Sequence, residues 1–159
     1  MFNNHRERVK CNFEYQALFR DLFPQQAHST FFLCACVGYS RRILTPFEKS
    51  YDSFWSDTMT RDEFGCYVLM ALEKNNMEPI LLGDDKAKTI IELVQEYANT
   101  GMSILIEEVI SDAVEKNSHG YYELDKSKDI ILPKIILCWL SEAIDQTDEP
   151  IEVEVLPQP

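Results

Sequence analysis

The sequence lacks a hydrophobic run long enough to cross a bilayer, which requires about 20 predominantly apolar residues. Its longest apolar stretch, Phe31 to Val37, covers only about two helical turns. The first residues, Met-Phe-Asn-Asn-His-Arg-Glu-Arg, are too polar for a signal peptide. From these absences we expect a cytoplasmic protein that does not associate with membranes.

Recognisable catalytic motifs are also missing. The sequence has no glycine-rich phosphate loop, no Gly-x-Ser-x-Gly elbow and no His-Glu-x-x-His pair. The three histidines, His5, His28 and His119, lie far apart, and each is interpreted as a surface or capping residue. We therefore predict that the protein is not an enzyme and has no catalytic residues, no metal site and no cofactor. A nucleophilic pair of Cys36 with His28 remains open, because such partners meet in space and not in sequence.

The five cysteines are an odd number, and most lie within apolar periodic runs. This pattern is typical of buried free thiols in a reducing compartment. Cys34 and Cys36 form a Cys-x-Cys pair, but residues two apart on a helix point to opposite sides and cannot chelate one ion. The cysteines therefore predict core packing: they are Cys11, Cys34, Cys36, Cys66 and Cys138.

Basic residues are few, and their distribution is uneven. The chain has 15 Lys and Arg against 27 Asp and Glu, a net charge of −12. Residues 1–50 carry a balance of +3, whereas residues 51–159 carry −15. Because an acidic surface repels phosphate backbones, the charge disfavours general nucleic-acid binding and favours docking to a protein of complementary charge. Solubility alone is the competing interpretation.

Apolar residues recur at helical spacing in the first part of the chain. The spacing predicts a helix from Asn12 that ends before Pro24, and a second, centrally packed helix over Thr30–Tyr39. A buried strand is the alternative for the second segment. Residues 1–10 are interpreted as a polar arm and residues 47–59 as a loop.

A capping box of Thr60 and Glu63 predicts a further helix that runs to about Asn75. Gly83-Asp84-Asp85 opens the next helix, because carboxylates are favourable at a helix N-terminus. Its apolar stripe is interrupted at Asn99-Thr100-Gly101 and then continues from Ile104 to Val114.

The last third of the chain combines a polar connection with one more helix. Lys116–Lys128 reads as a loop or short hairpin, and Asp129–Ile144 as the last core helix, with Pro133 tolerated near its start. Within the tail, Ile151–Val155 alternates as a half-buried edge strand does. The sequence thus predicts a mainly α protein, a single compact bundle of about five or six helices over residues 1–144, with an extended acidic, proline-containing tail over residues 145–159.

Arginines and aromatic residues are interleaved between Tyr39 and Trp55. The first interpretation is that these rings pack the loop onto the helices, and the second is a protein interface, where Tyr, Trp and Arg are enriched. Single-stranded nucleic acid, held by stacking and charge, is the third. In the tail, alternating apolar residues could add a strand to the sheet edge of a partner. The predicted partner-binding residues are Tyr39, Arg41, Arg42, Phe47, Tyr51, Phe54, Trp55, Ile151, Val153 and Val155.

The stretch from Cys34 to Phe47 also resembles a known group of proteins. Its apolar-Ala-x-x-Gly-Tyr step (Cys34 to Tyr39), the basic turn at Arg41 and Arg42, and Pro46 before Phe47 are similar to small proteins found beside bacterial DNA-phosphorothioation and related antiphage operons. The resemblance implies an accessory subunit of a multi-protein defence complex, without catalytic residues of its own.

The functional prediction is a non-enzymatic accessory or adaptor subunit that binds a larger ATPase, helicase or nuclease partner. One alternative is an acidic DNA mimic that inhibits a nucleic-acid-binding protein. Another is a subunit that contacts DNA through Arg41 and Arg42.

Overall fold

The computed structural model describes residues 6–24, 26–76, 86–128 and 131–145. Five α-helices and four short strands lie within them. The helices are α1 (Gln16–Asp21), α2 (Ala27–Ser40), α3 (Arg61–Lys74), α4 (Lys86–Glu108) and α5 (Leu132–Asp145), and the strands are β1 (Arg8–Asn12), β2 (Ser50–Trp55), β3 (Val114–Lys116) and β4 (Tyr122–Leu124). The prediction of a mainly helical chain is confirmed. The strands form two antiparallel two-stranded sheets, which a simple helical bundle does not contain.

The closest packing in the fold is the crossing of α2 and α4. A Cβ atom on Gly38 would lie 2.0 Å from the carbonyl oxygen of Tyr97, and one on Gly101 would lie 1.8 Å from that of Cys34. Only glycine allows backbones to approach this closely. The segment Thr30–Tyr39 is therefore a central helix, as expected, and the alternative of a buried strand is wrong.

The predicted interruption of the following helix at Asn99-Thr100-Gly101 is wrong, because α4 runs without a break from Lys86 to Glu108. The polar side chains of Asn99 and Thr100 form hydrogen bonds with another segment and do not interrupt the helix. The Asn99 side chain donates to the Thr45 carbonyl at 2.9 Å, and the Thr100 hydroxyl donates to the Thr45 hydroxyl at 2.8 Å. These bonds attach the segment after α2 to the middle of α4.

The first sheet corrects three predictions. Residues 8–10 are not an irregular arm, residues 50–55 are not a loop, and the helix predicted from Asn12 begins as a short 3-10 turn before α1. Strand β1 pairs antiparallel with β2, and Cys11 lies opposite Tyr51. The pairing partners are about 40 residues apart, and local periodicity does not report contacts over that distance.

The prediction that helical structure continues to Val114 is wrong, because α4 ends at Glu108 and a 3-10 turn over Ser111–Ala113 and strand β3 follow.

Other predicted elements are found in the described residues. The capping box at α3 is present: the Glu63 amide donates to the Thr60 hydroxyl at 3.2 Å, and the Thr60 amide donates to the Glu63 carboxylate at 2.6 Å. Strands β3 and β4 form the expected short hairpin. Helix α5 begins at Leu132, with Pro133 in its first turn.

The predicted helix opening at Gly83–Asp85 and the predicted tail strand Ile151–Val155 lie outside the described residues. Among the described helices, none combines the length and the hydrophobicity that a membrane span needs.

Candidate functional site

The two arginines of the segment Tyr39–Trp55 are bound to carboxylates of the same chain. The Arg41 guanidinium donates to both oxygens of Glu108, at 3.0 and 2.8 Å. Arg42 lies 2.6 Å from the Glu73 carboxylate, and its guanidinium stacks over the Tyr39 ring at 4.4 Å. Both arginines thus tie the end of α2 to neighbouring helices. To contact a phosphate, either one would have to leave its carboxylate.

The aromatic residues of this segment have separate neighbours. Phe54 is buried in the core, where its ring makes an edge contact with Phe31 at 5.5 Å. The Tyr39 ring contacts Tyr97 in the same way at 5.6 Å. Phe47 and Tyr51 are half-buried. The Tyr51 ring makes an edge contact with the ring of Phe13, the first residue of the 3-10 turn. The contacts of Phe54 and Tyr39 fit the first interpretation, the packing of the loop onto the helices.

Trp55 is stacked by two arginines that sequence reasoning did not select. The guanidinium carbons of Arg6 and Arg8 lie 4.3 and 3.8 Å from the centroid of the indole ring. Asp57 and Asp52 hold these arginines at 3.0 and 3.8 Å respectively. The spacing of Arg6 and Arg8, two positions apart where β1 begins, is the signal that could have revealed the arrangement. The indole is thus already engaged in cation–π contacts, which a stacked base would have to replace.

The open alternative of a Cys36–His28 pair finds no support in the geometry. The two residues are eight positions apart on α2, so about 12 Å of helix separates them. The His28 imidazole instead lies 3.0 Å from the Glu63 carboxylate. Burial raises the pKa of the Cys36 thiol to about 11, so the thiol is protonated at neutral pH.

The contact of His28 with Glu63 is the most buried charged contact that we find in the described part of the chain. Burial of Glu63 raises its pKa, but hydrogen bonds from the Thr60 backbone and from His28 outweigh burial and bring the pKa below 4.5. The carboxylate therefore joins the N-termini of α2 and α3. No group of three or more His, Cys, Asp or Glu side chains among the described residues could hold a metal ion.

Helix α5 presents an apolar face to solvent. Ile131, which immediately precedes the helix, is 51% exposed and Ile135 is 42% exposed. Leu137 is 62% exposed but lies on the other flank of the helix, because residues two apart point to opposite sides. Leu132 and Ile136, between the two flanks, are buried and anchor the helix to the domain. The prediction that all five residues belong to the core is wrong for the exposed three, because a nearly continuous apolar run does not show which side faces solvent.

The outer residues of α5 follow the spacing of a binding helix. Ile131, Ile135 and the exposed Cys138 are separated by four and three positions, so they form one stripe. Large exposed aliphatic side chains elsewhere among the described residues are single: Ile43 after α2 and Leu69 on α3. The face of α5 is therefore the only place in the described chain where such residues cluster.

Two cavities flank α1. The larger, of about 560 Å³, lies between α1 and the β3–β4 hairpin, and Phe13 and Tyr121 are among its lining residues. The smaller, of about 390 Å³, lies between α1 and β2. Arg20 borders both, and its guanidinium is bound to the Asp21 carboxylate at 2.6 and 2.7 Å.

Comparisons of the chain with protein-family models, with curated proteins and with solved structures find no match. Functional inference therefore depends on the residues and their arrangement.

Proposed function

We propose that the protein is a non-enzymatic accessory subunit that binds a larger protein partner through the exposed face of α5. The observation that carries this proposal is the pair of Ile131 and Ile135, which are 51% and 42% exposed one helical turn apart, with the exposed Cys138 continuing their stripe. Contiguous exposed apolar patches on a monomer mark interaction sites, whereas single exposed residues need no explanation.

The stripe on α5 fits the mode in which an amphipathic helix lies in an apolar groove. Such helices use anchors at positions i, i+4 and i+7. Ile131, Ile135 and Cys138 have this spacing, and the buried Leu132 and Ile136 fix the helix to the domain so that the stripe faces outward. A helix that is already formed and oriented loses little conformational entropy when it binds.

Charge defines the partner further. Four acidic residues and no basic residue lie between positions 146 and 159, directly after α5, and the whole chain has a net charge of −12. A partner whose apolar groove is bordered by basic residues complements this distribution, and its association would be fast at low salt. A second copy of the chain carries the same negative charge and is therefore a poorer match.

The resemblance of Cys34–Phe47 to proteins of antiphage operons supports a proposal about the kind of assembly to which the protein belongs. In that setting the partner is a larger ATPase, helicase or nuclease of a genome-defence assembly. The ion pairs of Arg41 with Glu108 and of Arg42 with Glu73 support a structural role for this segment. They give no support to the alternative of direct DNA contact.

Site-specific photo-crosslinking in the native host tests the proposal. A photo-reactive residue replaces Ile135 on α5, and a matched control replaces Leu69, which is 62% exposed on α3. We expect position 135 to crosslink one larger protein in high yield and position 69 to give no such product. Equal yields at the two positions, no product, or a product that contains only a second copy of the chain would each overturn the proposal.

A further inference from the structure

The larger cavity, between α1 and the β3–β4 hairpin, has the size of a small-molecule site. Its volume is about 560 Å³, and sites for small ligands occupy about 300–1,000 Å³. One wall is a single face of α1 and of the 3-10 turn before it, because the residues that border the cavity recur every three or four positions. They are Phe13, Gln16, Ala17, Arg20, Asp21 and Pro24.

Two aromatic rings meet in this cavity. The centroids of the Phe13 and Tyr121 rings are 5.1 Å apart, and the ring planes are inclined by 62°. Phe13 also makes an edge contact with Tyr51 at 6.3 Å, which fixes its orientation further. Both cavity rings are only partly buried. Because aromatic rings pack favourably on one another at centroid distances of about 4.5–7 Å, this corner favours a planar aromatic ring.

The hairpin wall of the cavity is held in place by Asn117. Its side-chain carbonyl oxygen accepts hydrogen bonds from the amides of His119 and Tyr121, at 2.9 and 3.1 Å. Its side-chain amide donates to the Glu123 carboxylate at 2.7 Å. The turn that carries Tyr121 is therefore formed before any ligand binds, and a preorganised site loses less conformational entropy on binding.

The polar groups that remain available at the cavity include two cationic donors. Both bordering carboxylates already accept hydrogen bonds within the chain, Asp21 from Arg20 at 2.6 and 2.7 Å and Glu123 from Asn117. Lys126 also borders the cavity and has no hydrogen bond or ion pair with another described residue. Arg20 uses Nε and Nη2 for Asp21, so its Nη1 is left to donate elsewhere. An ammonium and a guanidinium nitrogen at one cavity are suited to a carboxylate or a phosphate.

We propose that the larger cavity binds a small molecule that combines a planar aromatic ring with one anionic group, a carboxylate or a phosphate. The ring packs against Phe13 and Tyr121, and the anionic group accepts hydrogen bonds from Lys126 and Arg20. The bound molecule joins α1 to the hairpin. The proposal is independent of partner binding by α5, because it concerns a different surface and needs no second protein.

Titration of the full-length protein, followed by amide NMR, tests the site. The probes are two matched pairs, indoleacetate with indoleacetamide and adenosine monophosphate with adenosine. We expect at least one anionic probe to shift the amides of Phe13 and Tyr121 with a Kd on the order of 1 mM or below. Its neutral counterpart should bind about tenfold more weakly, because it makes no charge-assisted hydrogen bond. The pair that responds distinguishes a carboxylate from a phosphate.

Lys126→Gln tests the contact with the anionic group. The variant should bind the anionic probe about tenfold more weakly and the neutral probe as the wild type does. Lys134→Gln is the matched control, because Lys134 is an exposed lysine of α5 that does not border the cavity. It should leave both affinities unchanged. Tyr121→Leu removes the ring and should weaken both members of the pair.

Unchanged shifts at Phe13 and Tyr121 with either anionic probe at about 10 mM would overturn the proposal. Equal affinities for the anionic and neutral members of each pair would do so as well, and so would equal losses in Lys126→Gln and Lys134→Gln. The amides of α4, whose centre is buried, report whether each variant is folded.

Discussion

Gly38 of α2 and Gly101 of α4 lie against each other where the two helices cross. A Cβ atom on Gly38 would be 3.1 Å from the Gly101 amide nitrogen and 2.0 Å from the Tyr97 carbonyl oxygen. The backbone of a central helix cannot move aside as the end of a flexible side chain can. The crossing distance therefore depends on the two glycines, and the position of the other elements depends on the crossing.

Gly38→Ala is expected to lower the free energy of unfolding by about 3 kcal/mol or more, because the added methyl overpacks a backbone contact. Gly65→Ala is the matched control: Gly65 is an exposed residue of α3 with nothing within 4 Å of its Cβ position. This change should instead raise the free energy of unfolding by about 0.5–1 kcal/mol. Urea denaturation measures both, and equal effects of the two changes would contradict the packing described here.

Tyr67→Phe is expected to stabilise the protein. The Tyr67 hydroxyl is buried and has no hydrogen-bond partner among the described residues. An unsatisfied buried hydroxyl costs about 1–3 kcal/mol, so removing it should raise the midpoint of urea denaturation. Tyr15→Phe serves as the control, because the Tyr15 hydroxyl bonds to Ser103 and its loss should lower the midpoint. A lower midpoint for Tyr67→Phe would show that its hydroxyl has a partner.

Glu63→Gln is expected to destabilise the protein in a pH-dependent way. The pKa of Glu63 in the folded protein lies below 4.5, because hydrogen bonds from Thr60 and His28 outweigh the effect of burial. A carboxylate with a lowered pKa stabilises the fold above its unfolded-state pKa, and this contribution is lost as pH falls through the folded-state pKa. The stability difference between wild type and variant should shrink as pH falls below about 4.5. A difference that grows as pH falls through this range would contradict the assignment.

Charge reversal at Arg41 and Arg42 tests the alternative of direct DNA contact. Both side chains are about half exposed and bound to Glu108 and Glu73. Arg41→Glu with Arg42→Glu should lower the free energy of unfolding by about 1–2 kcal/mol in total, since exposed ion pairs contribute about 0–1 kcal/mol each. The affinity for duplex and single-stranded DNA, measured by fluorescence anisotropy, should be as weak as that of the wild type. A wild-type affinity that falls steeply with salt and is lost in the double variant would restore the DNA-contact hypothesis.

The sequence was sufficient for features that depend on neighbouring residues. The capping box of Thr60 and Glu63 depends on local propensity and spacing, which a single sequence reports. The helix around Cys34 was the preferred of two predictions, with a buried strand as the alternative, and the hairpin of β3 and β4 was one of two predictions, with a loop as the other. The sheet of β1 and β2 was missed because its register depends on contacts between residues about 40 positions apart. Asn99-Thr100-Gly101 was misread because tertiary bonds to Thr45 and the contact with Cys34 override the weak helix propensity of these residues.

The candidate site was predicted least well for a related reason. Arginines and aromatic residues drew attention to Tyr39–Trp55, but only the structure reveals that Arg41 and Arg42 have carboxylate partners. Conversely, Ile135 and Leu137 looked like core residues, since the sequence alone does not show which side of α5 lies against the domain.

The central claim is tested most directly with the partner protein that crosslinking identifies. This protein is purified in its unmodified form, and its affinity for Ile135→Lys is measured. Isothermal titration calorimetry compares this variant with wild type and with Leu69→Lys, which introduces the same residue at a more exposed position on α3. If the face of α5 lies in an apolar groove, burying a lysine there should weaken binding at least 30-fold, a cost of about 2 kcal/mol, while Leu69→Lys binds as wild type does. Wild-type affinity in Ile135→Lys, with the fold intact, would contradict the assignment of α5 as the partner-binding surface.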